Sequence, residues 1–138
     1  MVIHSFPNLV DVVWRDNLQA VHLKWHDEYD EGTAVQDAIW AAIKFVNENE
    51  VKNWLGDIST SRNGLSNKDL DFVTGEEFRQ AIRASTLRKF VLMPPLPETG
   101  QDTSWLTEWE KNTLAAFGDN VQARLASDID EIRVFFDA

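Results

Sequence analysis

The stretch Val51-Lys52-Asn53-Trp54-Leu55-Gly56-Asp57-Ile58-Ser59 decides the fold of this chain. It is mostly apolar, which is typical of a short strand buried within a sheet, and the strand is predicted to run from Val51 to Ile58. Its end would deliver Asp57 and Ser59 to the surface, close to the start of a new helix. In α/β domains such a junction of strand end and helix start is the usual place for a binding site.

Two further strand patterns precede this stretch. Leu9 to Trp14 is rich in valine, and Ala20 to Trp25 alternates between apolar and polar residues. Because Arg15-Asp16-Asn17 between them favours a turn, the two strands are predicted to form an antiparallel hairpin. In the second strand Val21, Leu23 and Trp25 share one face, whereas His22, Lys24 and His26 share the other.

Helices are predicted between the strands. Thr33 caps a helix that reaches about Glu50, with apolar residues at three- and four-residue spacing. A second helix begins at Ser66-Asn67-Lys68-Asp69, which resembles a capping box, and Gly75 is its weak point. The remaining predicted elements are a strand from Leu87 to Met93, a helix from Asp102-Thr103-Ser104 to about Phe117, a strand from Val121 to Ala126, and a final helix capped by Ser127 or Asp128.

The order of these elements is β-β-α-β-α-β-α-β-α. Alternation of strands and helices after the hairpin predicts a mainly parallel sheet joined by crossover helices. The 138 residues suit one domain, and a hydrophobic content of 43% is enough for a buried core. The prediction is a single α/β domain over residues 1–138.

Charge and composition exclude several functional classes. The formal net charge is −10, which disfavours binding to nucleic acid or to an anionic membrane surface. The chain has no cysteine, which excludes thiol catalysis and cysteine-ligated metal. No apolar run approaches the ~20 residues that a membrane span needs, and the first residues lack a signal-peptide pattern. A cytoplasmic protein without a membrane span is expected.

Four segments together resemble a known family. They read VKNWLGDIS, LSNKDLDFV, LRKFVLMPP and VQARLASDIDEIRVFF. In order and spacing, from Trp25 to Phe135, the chain is similar to small bacterial STAS-like proteins, which include anti-sigma-factor antagonists and single-domain STAS/SEC14-like proteins. The resemblance implies a STAS-like α/β fold with a mixed sheet of four or five strands, an N-terminal antiparallel hairpin, and helices mostly on one face. It also implies a regulatory or ligand-binding role, and not catalysis.

The segment after the central strand is the main candidate site. Antagonists of this family carry a phosphorylatable serine in an Asp-Ser-Ser-Gly-Leu type of motif, whereas this chain has a longer loop without the Ser-Ser-Gly run. The match to the STAS/SEC14-like group is therefore closer. Free N–H groups and the dipole at a helix start favour negative charge, so a phosphate in the loop would be attracted there. The alternative is that these side chains only satisfy loop backbone and cap the helix. The candidates are Asp57, Ser59, Ser61 and Ser66.

Tryptophans provide candidates for an apolar surface. Trp40 has polar neighbours at helical spacing, which suggests an exposed patch. Trp105 and Trp109 are four residues apart and share a helix face. These two could line an apolar pocket or a dimer contact, and the alternative is ordinary packing of the helix on the sheet.

A metal site and a catalytic site are both disfavoured. His22 and His26 share a strand face, but their rings would be about 13 Å apart because each strand residue rises ~3.3 Å. The acidic residues that follow, from Asp27 to Glu31, are expected to form a solvated turn. The chain has no nucleophile elbow, phosphate-binding glycine loop or His-Glu-x-x-His motif. No metal, no cofactor and no enzymatic activity are predicted.

The functional hypothesis is a non-enzymatic regulatory or interaction module. A partner protein or a small ligand would bind at the rim built by the loops after the second, third and fourth predicted strands. One alternative is a carrier of a small apolar ligand, with Trp105, Trp109 and a proline-rich loop as a lid. The other is a homodimer with a structural role.

Overall fold

The chain forms one six-stranded mixed sheet in a computed structural model, which describes residues 1–108, 111–112, 117 and 120–138. The strands are β1 (Val2–Phe6), β2 (Val10–Arg15), β3 (Ala20–Trp25), β4 (Asn53–Asp57), β5 (Lys89–Met93) and β6 (Gln122–Leu125). They lie side by side in chain order. The pairs β1–β2 and β2–β3 are antiparallel, whereas β3 to β6 run parallel. The predicted α/β class and the predicted hairpin, which is β2–β3, are confirmed.

Helices connect the parallel strands and close the chain. They are α1 (Ala34–Asn49), α2 (Asn67–Val73), α3 (Glu76–Ala84) and α4 (Ile129–Asp137), with a 3-10 turn at Pro97–Thr99. Residues 106–108 and 111–112 are also helical, within the helix predicted from Asp102 to Phe117. Asp128 caps α4 by accepting from the backbone N–H of Asp130 at 2.9 Å. Within the described part of the chain, no helix combines the length and the apolar character that crossing a membrane requires.

The segment centred on Leu55 lies in the interior of the sheet. Strand β4 pairs in parallel with both β3 and β5, and all five of its residues are buried. Its alternating side chains enter two separate cores, because Trp54 belongs to one and Leu55 to the other. A strand covered on both faces must be nearly apolar throughout, which explains the pattern of this stretch.

The two faces of the sheet are covered by different helices. On the face of Trp54, the core includes Ile39 from α1 and Phe78 and Ile82 from α3. On the opposite face, Leu55 packs with Ile132 and Phe136 of α4. Phe72 and Val73 of α2 also pack against the core on the face of Trp54, so three of the four labelled helices contribute to one layer.

Strand β1 was not predicted, and it raises the strand number from the expected four or five to six. It is joined to β2 by a tight turn in which Pro7 precedes Asn8, whose φ is +64°, and Leu9 N–H donates to the Phe6 carbonyl at 3.0 Å. Proline followed by a residue with positive φ is the pattern of a type II turn. The pairing of β1 with β2 is local, whereas the contact of β1 with α1 joins segments that are distant in the chain.

Gly75 divides the second predicted helix into two. Helix α2 ends at Val73 and α3 begins at Glu76, with Gly75 in an extended conformation at its N-cap. A β-carbon added to Gly75 would lie 2.8 Å from the carbonyl oxygen of Asp71. The junction between α2 and α3 therefore requires glycine, at the residue that the sequence analysis identified as the weak point of the predicted helix.

We expect Gly75→Ala to lower the free energy of unfolding by about 1–3 kcal/mol, because the new methyl group would push against backbone. Gly64→Ala is the matched control, since a β-carbon at Gly64 meets no atom within 4 Å. That variant should be neutral or gain about 0.4–1 kcal/mol through a less flexible unfolded chain. Urea unfolding of both variants measures the difference, and equal stabilities would contradict this account of the junction.

Candidate functional site

Asp57 ends β4 and is the centre of a buried polar network. The residue as a whole is 4% exposed. Oδ2 accepts from His22 Nε2 at 2.9 Å and from Lys24 Nζ at 3.3 Å. Oδ1 accepts from the Ser59 hydroxyl at 2.6 Å and from the Ser59 backbone N–H at 3.1 Å. Both carboxylate oxygens are thus fully engaged within the protein.

His22 links this network to Arg15. The Nε–H of Arg15 donates to Nδ1 of His22 at 3.0 Å, so Nδ1 is an acceptor and carries no proton. The proton of the neutral ring is then on Nε2, from which it is donated to Asp57. Arg15 and Asp57 together hold one tautomer and one orientation of the imidazole.

The environment of Asp57 keeps it ionised. Burial alone would raise the pKa of this carboxyl, but hydrogen bonds from His22 and Ser59 and the charge of Lys24 outweigh burial. The net result is a pKa well below the usual value of an aspartate. Asp57 is therefore a fixed negative charge, held by donors that are specific to the folded state.

Ser59 and Ser61 are buried as well. Ser59 is 7% exposed and Ser61 is fully buried, with its hydroxyl donating to the Asn63 carbonyl at 3.0 Å. The expectation that the strand end delivers Asp57 and Ser59 to the surface is wrong, because the following loop folds back over the end of β4. We call residues 58–66 the rim loop.

The rim loop is attached to the loop between β3 and α1. The Arg62 N–H donates to the His26 carbonyl at 3.1 Å, and the Glu28 N–H donates to the Asn63 carbonyl at 3.2 Å. The Asn63 side-chain amide donates to Asp27 Oδ2 at 3.1 Å. These contacts hold the two loops together through both backbone and side chains.

On its other side the rim loop is attached to the loop after β5. The Leu96 N–H donates to the Ser59 carbonyl at 3.0 Å, and the Gln101 side-chain amide donates to the Ser61 carbonyl. The loops after β3, β4 and β5 therefore meet at one edge of the sheet. They correspond to the loops that the sequence assigned to the working surface.

Glu28 lies buried between the first two of these loops. It is 8% exposed, and burial is the main cause that raises its pKa, from the ordinary value of 4.5 to about 7. The negative charge of Asp27 raises the pKa further, whereas a hydrogen bond with Ser61 opposes the rise. The contact between the loops thus contains a carboxyl group that titrates near neutral pH.

An open cleft of about 400 Å³ lies beside the start of α2. Lys68 donates from Nζ to the Gly32 carbonyl at 2.6 Å, which connects α2 to the loop before α1. Ser66 caps α2 as predicted, because its Oγ accepts from the Asp69 N–H at 3.3 Å. The cleft is lined by Tyr29, Glu31, Leu65, Ser66, Asn67 and Lys68.

The tryptophan candidates occupy different environments. Trp40 is half-buried and packs edge-on against Phe72 with ring centroids 5.6 Å apart, so it joins α1 to α2 and is not an exposed patch. Trp105 is 39% exposed, and its Nε1–H donates to the Asp102 carbonyl at 2.8 Å. Trp109 lies outside the described residues, so the carrier hypothesis based on these two tryptophans stays a prediction.

The histidines pair with separate aspartates. His22 contacts Asp57, whereas His26 Nε2 lies 2.9 Å from Asp11 Oδ2. Over residues 1–108, 111–112, 117 and 120–138, no group of three His, Asp or Glu side chains is placed to hold a metal ion. The hydroxyl of Ser59 is bonded to the carboxylate of Asp57 and not to the imidazole of His22, so the arrangement differs from a serine activated by a histidine.

Sequence reasoning missed four members of this site, namely Arg15, His22, Lys24 and Glu28. The alternation of β3 already placed His22 and Lys24 on one face, and in the structure Lys24 is the register partner of Asp57. A parallel pairing of β3 with β4 was the additional information needed. For Glu28 the sequence offers no such signal, because its neighbours in the chain are also acidic.

Comparison with known proteins identifies no relative, since no family model, curated protein or solved structure matches this chain.

Proposed function

We propose that this chain is a non-enzymatic, cytoplasmic regulatory module of the STAS-like type, and that the rim loop is its responsive element. The observation that carries the proposal is the position of Ser59 and Ser61, which are buried under a loop bonded to both neighbouring loops. The order of strands and helices and the buried strand that leads into this loop support the STAS-like assignment. The site would act by changing the conformation of the loop and would catalyse no reaction.

A closed rim loop and an open one would differ in the surface that the protein presents. In the closed state Ser59 contacts Asp57, so a phosphate on this hydroxyl would place a second negative charge against a buried carboxylate. Like charges at this distance repel strongly in a buried setting, so the modified loop would have to open. Modification would thus convert a local charge change into an order–disorder change of the rim loop.

Binding in the cleft beside α2 would act on the same loop. Leu65 and Ser66 belong to the rim loop, whereas Tyr29 and Glu31 belong to the loop before α1. A partner segment or small ligand that contacts both loops would favour the closed arrangement over the open one. Tyr29, which is 49% exposed, offers an aromatic surface for such a contact.

We expect Ser59→Asp to increase hydrogen–deuterium exchange at the amides of Arg62 and Glu28, which are bonded between the two loops. The reason is that the new carboxylate would lie against Asp57. Thr60→Asp is the matched control, because it adds the same charge one residue later at an exposed position. Equal exchange in the two variants, or exchange as slow as in the unchanged protein, would contradict a closed loop that responds to charge.

Protein purified from its native cells provides the direct test of regulation. Intact-mass and peptide mass spectrometry would locate a modification on Ser59 or Ser61, and affinity capture would compare the unchanged protein with a Ser59→Ala, Ser61→Ala variant. The proposal expects either a modified serine or a partner whose capture depends on the two hydroxyls. Unmodified serines together with identical partners would refute it.

A further inference from the structure

A second cleft lies at the opposite edge of the sheet from the rim loop, where α1 ends and β4 begins. It is open, with a volume of about 510 Å³. Part of its wall is aromatic, since Trp14 and Phe45 both line it with ring centroids 5.9 Å apart and planes inclined at 50°. Both rings are partly exposed, so they present ring surface to a ligand.

Three carboxamide side chains line the same cleft, and each uses its NH₂ group on the protein. Gln19 donates to the Asp16 carbonyl at 2.8 Å, and Asn49 donates to the Phe45 carbonyl at 3.0 Å. Asn53 donates to the Gln19 carbonyl at 3.0 Å and to that of Leu18 at 3.4 Å. The carbonyl oxygen of each side-chain amide is not used in this way, and among the described residues no group donates a hydrogen bond to it. Apart from Lys52, the polar side chains of the cleft thus offer acceptors.

The end of α1 adds negative potential to these acceptors. A helix of 16 residues carries partial negative charge at its C-terminus, and the last turn of α1 has no basic residue to offset it. Glu50 caps the helix with a φ of +54° and is one of the residues that line the cleft. Aromatic faces, acceptor oxygens and a carboxylate are together the features that recognise an organic cation.

We propose that this cleft binds an aliphatic ammonium ion. The alkyl chain would lie on the rings of Trp14 and Phe45, and the ammonium N–H groups would donate to Glu50 and to the carboxamide oxygens of Asn49 and Asn53. This site is independent of the proposed function at the rim loop. Lys52 also lines the cleft and opposes a cation, so its removal should strengthen binding.

Four small probes separate charge, hydrogen-bond donors and apolar contact. They are n-butylammonium, 1,4-diaminobutane, tetramethylammonium and n-butanol, each titrated at constant ionic strength while the indole N–H resonance of Trp14 is followed by NMR. We expect both amines to shift this resonance, tetramethylammonium to bind more weakly because it has no N–H donor, and n-butanol not to bind. Equal binding of n-butanol and n-butylammonium, or no shift at Trp14 with either amine, would overturn the proposal.

Variants show whether the binding is specific to this cleft. Glu50→Gln and Trp14→Leu should each weaken n-butylammonium binding about threefold, and Lys52→Ala should strengthen it by a similar factor. Glu48→Gln is the matched control, since it removes the same charge from the exposed surface of α1. Because the chain carries a net charge of −10, equal weakening by Glu48→Gln and Glu50→Gln would show general attraction and overturn the proposal. If Trp14→Leu does not fold, Glu50→Gln and Lys52→Ala decide the matter.

The ammonium group could belong to a free amine or to a lysine of another protein, and one more probe distinguishes these sources. Nα-acetyl-lysine methylamide has the same alkylammonium chain with peptide groups attached. Tighter binding of this compound than of n-butylammonium would identify a lysine side chain as the natural ligand, whereas weaker binding would identify a free amine. A failure of all the amines would leave the rim-loop proposal untouched.

Discussion

Replacement of Asp57 by alanine is expected to lower the free energy of unfolding by about 3–5 kcal/mol, the usual cost of removing one partner from a buried charged network. The substitution leaves the Nε2–H of His22 and the hydroxyl of Ser59 without their acceptor, in a place where each is less than a tenth exposed. It also leaves the charge of Lys24 without its partner. Urea unfolding at pH 7 measures the loss.

The chain contains a matched control for this experiment. Asp11 likewise accepts from a serine hydroxyl, that of Ser5 at 2.6 Å, and contacts a histidine, His26, at 2.9 Å. The Asp11 side chain is 40% exposed, however, whereas that of Asp57 is 5% exposed. Because water replaces the lost partners of an exposed group, Asp11→Ala should cost only about 0.2–1 kcal/mol. Similar losses in the two variants would mean that burial does not determine the strength of the network.

The effect of Asp57→Ala should also depend on pH. The folded-state pKa of Asp57 lies below the ordinary value of 3.8, so the carboxylate stabilises the protein fully above that value. This contribution is lost as the pH falls through the folded-state pKa, because protonation of the Asp57 carboxylate weakens the hydrogen bonds that it accepts. The gap in stability between the unchanged protein and Asp57→Ala should therefore narrow in acid.

The sequence was sufficient to predict the elements that carry strong local signals. The stretch around Leu55 is apolar on both faces because it is covered on both, and its length and bounding polar residues indicate a strand. The break at Gly75 and the cap at Ser66 are also local, because each depends on the chemistry of a few adjacent residues. These features are the ones that the structure shows where the sequence placed them.

Long-range features were harder to predict. Strand β1 has only five residues, and its contact with α1 comes from a segment that is distant from it in the chain. The Pro7-Asn8 turn was the available local signal, since it has the residues of a type II turn. The half-burial of Trp40 follows in the same way from α2, which brings Phe72 against it.

At the candidate site, the exposure expected for Asp57 and Ser59 is wrong, since both are buried. The strand end at Asp57 and the three loops around it are where the sequence placed a working surface. Strand register decides which side chains meet there, and the pairing of Lys24 with Asp57 cannot be derived from either strand alone. The burial of Ser59, Ser61 and Glu28 depends on the path of the rim loop, for which its polar composition gives no indication.

Glu28→Gln is expected to remove a pH dependence from the stability of the protein. The folded-state pKa of Glu28 is raised from 4.5 to about 7, so its contribution to stability is fully present below pH 4.5 and is lost as the pH rises through 7. At about 1.4 kcal/mol for each pH unit between the two values, the loss reaches about 3 kcal/mol by pH 8. Glutamine stays neutral over this range and should show no such loss.

Unfolding free energies measured from pH 5 to pH 8 test this expectation, with Glu77→Gln as the control because Glu77 is exposed on α3. The difference between Glu28→Gln and the unchanged protein should grow in favour of the variant as the pH rises, whereas Glu77→Gln should follow the unchanged protein. A parallel pH profile for Glu28→Gln would show that the buried carboxyl does not titrate in this range.

Since Glu28 lies against Ser61 and its own N–H is bonded to Asn63, ionisation should loosen the rim loop before the rest of the fold. Hydrogen exchange of any amide becomes faster as the pH rises. In the unchanged protein, exchange at the backbone amide of residue 28 should accelerate between pH 6 and pH 8 by more than this intrinsic increase. In Glu28→Gln it should accelerate by the intrinsic increase alone.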